Sequence, residues 1–124
     1  MSKGLLTLAL ATAISALGHH SYGDYNRDTP VALEGTVKQV SWGNPHVVIT
    51  LETENGGEYS IEWGAVFQLS KTGVYAAPVK QGDRVIVTGS VNRNPDKHIL
   101  TLVREISRPA DGWRWVDPRY TTAK

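Results

Sequence analysis

Four histidines and four tryptophans are the residues of this sequence best suited to chemistry. His19 and His20 directly follow the segment Met1 to Gly18, which is apolar from Leu5 to Leu17. If the chain is cut after Gly18, His19 becomes the N-terminal residue. Its α-amine, with a reference pKa of about 8, is then partly deprotonated at neutral pH. That amine and the two imidazoles form a nitrogen set suited to copper(II), and less selectively to zinc or nickel. His46 stands at the start of a strand on its outward side, where an N-terminal arm could reach it. The candidate metal set is therefore His19, His20 and His46. A plainer reading also fits: the pair is a solvated chain end, and His46 hydrogen-bonds a turn carbonyl.

The tryptophans offer a second kind of site. Trp42, Trp113 and Trp115, with Asn44 in the turn after Trp42, form a candidate ligand-binding surface on which a sugar or base could stack. The alternative is that they cover an open barrel end. Trp63 is assigned to the core. Catalysis finds little support, and no catalytic residue is assigned. There is no serine elbow, phosphate loop or His-Glu-x-x-His helix. With no cysteine, zinc–thiolate sites and cysteine nucleophiles are excluded. Glu34, Glu58 and Glu62 fall on outer strand faces, and Asp24, Asp28, Asp83 and Asp111 fall in turns. The expectation is a protein that is not an enzyme.

The first 18 residues read as a signal peptide. Lys3 opens a run that is apolar from Leu5 to Leu17, and Ala16 and Gly18 are the small residues a signal peptidase requires. The run is short for a membrane span, so no stable membrane insertion is expected after cleavage, and the chain should be periplasmic or secreted. Lys3 is the only charged residue lost, which leaves 12 acidic and 12 basic residues. A balanced chain has no strong field for phosphate backbones, so nucleic acid is not an expected partner.

The elements that must position these residues are short strands. Residues 19–30 read as a turn-rich arm. Val31 to Val40 alternates with period two, with Gly35 as a bulge or bend. Trp42 to Pro45 is a turn. In the second strand, His46 to Glu52, Val47, Ile49 and Leu51 share the inner face. A three-residue loop, Asn55 to Gly57, predicts a hairpin in which Ile49 faces Trp63 and Leu51 faces Ile61. Ala65 to Thr72 is the one helix candidate, and Gly73 can end it. Arg84 to Val91 and Ile99 to Ile106 are the fourth and fifth strands. Residues 107–124 read as an irregular tail. The strand order is that of an all-β, five-stranded OB-type barrel over residues 31–106, with one short helix between strands three and four. An open sandwich is the rival.

The sequence resembles a family of small exported bacterial proteins known only by a domain-of-unknown-function label. The features that carry the resemblance are His19-His20-Ser21 with Tyr22, Leu33-Glu34-Gly35-Thr36-Val37, Trp42-Gly43-Asn44-Pro45-His46, and Gly82-Asp83-Arg84-Val85. It extends to about Ile106 and stops before the tail. It implies an OB-type barrel and no particular activity.

Two functions follow as expectations. One is an exported module that binds a transition metal such as copper through its mature N-terminal histidines. The other is a module that binds a cell-envelope polymer or protein partner without metal.

Overall fold

The computed structural model describes residues 22–121. Strands β1 (Val31–Ser41), β2 (Val47–Thr53) and β3 (Gly57–Gly64) form an antiparallel meander. The short helix α1 (Val66–Ser70) follows, then β4 (Arg84–Val91), β5 (Ile99–Arg108) and β6 (Trp113–Val116). The sheet order is β3-β2-β1-β4-β5-β6, and β3 also pairs with β5 in parallel. That additional pairing closes five strands into a barrel, with α1 between β3 and β4 as the sequence predicts. It excludes the open sandwich.

Alternation decides what goes inside. Val47, Ile49 and Leu51 are all fully buried, and each such side chain contributes about 1.5–3 kcal/mol relative to exposure. Ile61, Val85, Val87 and Leu100 complete the centre of the same cluster. At Gly35 the barrel makes its sharpest demand. β1 pairs with β4 over Val31–Thr36 and with β2 over Gly35–Ser41, so Gly35 belongs to both ladders. A Cβ there would lie 2.4 Å from the carbonyl oxygen of Glu52. Of the two readings of Gly35, a bulge or a bend, its place in both ladders fits the bend, and the bulge lies where the register shifts between Val37 and Gln39.

The β2–β3 hairpin departs from expectation by two residues. Ile49 pairs with Ile61 and Leu51 with Tyr59, across a turn at Glu54–Gly56. Thr53 decides the register. Its hydroxyl donates to the Gly57 carbonyl and accepts from the Gly56 N–H, while Gly57 takes the left-handed φ of 77°. Trp63 therefore does not oppose Ile49. It lies near the bulge between Val47 and Val48 and is buried all the same.

The C-terminal segment is also more ordered than its sequence suggested. β5 runs on to Arg108 and turns through Gly112, and β6 pairs back along it, with Trp115 opposite Ile106. The irregular tail is corrected to a strand and a final 3-10 turn, Pro118–Tyr120. Four residues between the turn Pro109–Gly112 and Pro118 give too short a period to read, but Trp115 supplies the burial that holds them. The bend that frees β5 from β3 and passes it to β6 comes at Leu102, whose φ is 51°. Arg108 then fastens the hairpin. Its guanidinium donates to Asp111, to the Asp83 carboxylate at 3.0 Å and to the Pro78 carbonyl at 2.8 Å.

At the other terminus the arm is tied down. Tyr25 bridges to Asn92, Asn26 donates to the Val91 carbonyl, and Arg93 donates to the carbonyls of Asp24 and Gly23.

Candidate functional site

A concavity lies where α1 meets the end of β6. β3 ends at Gly64, α1 turns across the barrel mouth, and Leu69 is pushed into the core. Lys71 and Thr72 follow in the turn that Gly73 closes with a φ of 91°. Trp115 reaches this turn from β6, and its indole N–H donates to the Thr72 hydroxyl at 3.0 Å. Between them is a groove of about 300 Å³. Trp63, Leu69 and Trp115 supply apolar lining, while Lys71, Asp117 and Arg119 supply charge.

Trp63 is the centre of an aromatic chain. Its ring meets Trp115 edge to face at 5.2 Å and Trp42 at 6.3 Å. Its Nε1 is buried and has no hydrogen-bond partner. A buried donor left without an acceptor costs about 1–3 kcal/mol, so this atom is the chemical anomaly of the region. Asp117 is the reverse case, since it is buried but fully engaged. Burial pushes its carboxyl up, but hydrogen bonds from the Arg119 side chain and backbone outweigh this and hold it below the usual carboxylate range.

A slightly larger cavity, about 360 Å³, lies among Thr88, Arg104, Arg114 and Tyr120. Its charges are partly paired, with the Arg104 Nε buried and without a hydrogen-bond partner. Arg114 pairs with Glu105, and Arg104 stacks on Tyr120 while donating to the Arg27 carbonyl. It is the more polar of the two, and its one aromatic ring, Tyr120, is covered by Arg104, so the α1 groove with its two tryptophans is the better site for an organic ligand.

The residues singled out from sequence distribute as follows. Trp42 and Trp115 join Trp63 in one cluster, with Trp42 half-buried and Trp115 buried. Trp113 is half-buried, with the Arg108 guanidinium over its ring at 5.2 Å. Asn44 is exposed in the β1–β2 turn, and His46 is exposed at its end. His19 and His20 lie outside the described residues. No group of three histidine or acidic residues that could hold a metal exists among the described residues. His98, given no role from sequence, stacks on Tyr59 at 4.7 Å and donates from Nδ1 to the Glu58 carbonyl. Sequence reasoning missed Lys71, Thr72, Asp117 and Arg119. The Asp117-Pro118 pair was the available signal, because aspartate before proline is a standard start for a helical turn.

A family model described as a family of unknown function (DUF6152) matches residues 7–101. The chain belongs to this family. The DUF6152 match stops at Thr101, just before the bend at Leu102. It therefore covers β1 to β4 and α1, while β6 and the Asp117–Arg119 side of the groove lie beyond it. No curated protein matches the chain. No helix among the described residues is long and apolar enough to cross a membrane.

Proposed function

We propose that this protein is an exported binding module of the bacterial envelope, and that it takes a small organic ligand in the groove between α1 and β6. The observation that carries the reading is the unpartnered indole N–H of Trp63, in a residue that lines an apolar groove. Binding sites of this kind combine a mainly apolar lining with a few polar groups that fix orientation. Export is supported by the Met1–Gly18 leader pattern. The test is a mixed panel of small amphipathic anions, cations and neutral solutes, followed by NMR at the indole N–H resonances. Saturable shifts at Trp63 and Trp115 are expected from at least one member. A panel that leaves both resonances unmoved overturns the groove as a site.

A second reading is copper(II) at the mature N-terminus. His19-His20 directly after the predicted cleavage site favours it, with His46 as a further ligand. Each nitrogen must lose its proton to bind, so affinity falls at acid pH. Copper titration of the chain starting at His19 should give tight binding. That binding should weaken by at least tenfold when one extra residue precedes His19, which moves the free amine away while keeping every side chain. Unchanged affinity in that version and in His46→Ala removes the site.

A further inference from the structure

We propose that the groove beside α1 selects a small monocarboxylate with an apolar body, whose carboxylate accepts from the Trp63 indole N–H and faces Lys71. The inference rests on the groove being a binding site, as argued above, and adds the chemical class of what fills it.

Charge narrows the choice first. Three charged side chains line the groove: Lys71, Asp117 and Arg119. Asp117 and Arg119 neutralise each other through a 2.6 Å contact reinforced by two longer hydrogen bonds from the same guanidinium. Lys71 has no carboxylate partner among the described residues. Its ammonium lies over the exposed Phe67 ring, 4.6 Å from the centroid. The lining thus carries one uncompensated positive charge. A cationic ligand meets repulsion there, and a neutral one gains a weaker hydrogen bond from Lys71 than a carboxylate does.

The apolar lining narrows it further. Trp63, Leu69, Trp115 and Pro118 present carbon surface to the ligand. Inorganic phosphate or sulfate would lose hydration against that surface without recovering it. A carboxylate on an aliphatic or aromatic body suits both halves of the site. The cavity of about 300 Å³ is at the small end of organic-ligand sites, which limits the body to one ring or a short chain.

Trp63 supplies the third constraint. It is 5% exposed, and its Nε1 is sealed from water with no acceptor. Reaching it requires the groove wall to rearrange over the buried Nε1, and side-chain rotamer changes are common on binding. A hydrogen bond to a charged acceptor is stronger than one to a neutral acceptor, so this donor also favours the carboxylate over an alcohol of the same length.

Calorimetric titration of the full chain with octanoate and with 1-octanol tests the proposal. Octanoate should bind saturably at sub-millimolar concentration, and octanol about tenfold more weakly. Lys71→Gln should weaken octanoate about threefold, in keeping with an exposed ion pair, and leave octanol unchanged. Trp63→Phe keeps an aromatic ring, smaller than the indole, and removes the N–H, and should weaken octanoate about tenfold. Lys71→Gln, at an exposed position, decides the matter if Trp63→Phe does not fold. Equal affinity for octanoate and octanol overturns the carboxylate assignment, as does octanoate affinity unchanged by Lys71→Gln. In either case indole shifts produced by other panel members would leave the groove standing as a site. No saturable heat with octanoate likewise overturns the assignment.

Discussion

Trp63→Ala should lower stability by about 3–5 kcal/mol, the range for removing a large buried aromatic side chain. Three contributions point the same way. The side chain is 95% removed from solvent in a well-packed barrel end, as its 5% exposure indicates. It makes two edge-to-face contacts, with Trp42 and Trp115, and such pairs add about 0.5–1.5 kcal/mol each beyond area burial. Its loss also leaves Trp115 facing a void, so the β6 anchor loosens with it. One term opposes these, since alanine removes the unpartnered Nε1, which recovers part of a buried donor's cost. The packing terms are larger and set the sign. A domain of this size has about 5–15 kcal/mol to lose, so the urea midpoint should fall by a large fraction. A midpoint unchanged within error would mean that Trp63 is not the keystone of this end.

Gly35→Ala should also be severe, although it adds only one methyl group. The obstacle is the Glu52 carbonyl oxygen, 2.4 Å from where the Cβ must go, with the carbonyl carbon at 2.9 Å. Neither atom is the end of a flexible side chain, so β1 and β2 must move apart where Gly35 and Thr53 pair. Overpacking in a rigid core costs about 1–3 kcal/mol, occasionally more, and a backbone obstacle places this change at or above the top of that range. Gly43→Ala is the matched control, because a Cβ there meets nothing within 4 Å. The two melting temperatures should separate clearly. Equal values would show that the strands adjust freely at Gly35.

The barrel was legible because its signals are local. Val47, Ile49 and Leu51 alternate with outward residues, and glycine-bearing turns separate the strands. The β2–β3 register was half legible. Parity requires an odd loop, but both Glu54–Gly56 and Asn55–Gly57 satisfy it, and only the Thr53 hydroxyl bonds distinguish them. β6 was hidden by its four-residue length. The groove was hidden by distance along the chain: Thr72 and Trp115 hydrogen-bond across 43 positions, and no period or motif links them. Trp42 and Trp115 stand out in the sequence as part of a candidate ligand surface and Trp63 as core, and Trp63 is the residue that joins the other two. The histidine pair falls outside the described residues, so the copper reading stands on sequence alone.

The barrel's closure has its own consequence for motion. The antiparallel seam between β1 and β2 is laced by six register pairs, whereas the parallel seam between β3 and β5 has two, Ser60 with Ile99 and Ile61 with Leu100. One more bond, from the Ser60 N–H to the His98 carbonyl, extends it. Neighbours in a parallel pair cannot be joined by a tight hairpin, so this join can form only after α1 and β4 have brought the chain around. Its long sequence separation makes it the expected late step of barrel closure. If it opens, the fully buried Ile61 and Leu100 meet water, so hydrogen exchange at Ser60 and Ile61 faster than along β1–β2 is the expected sign of a weak seam.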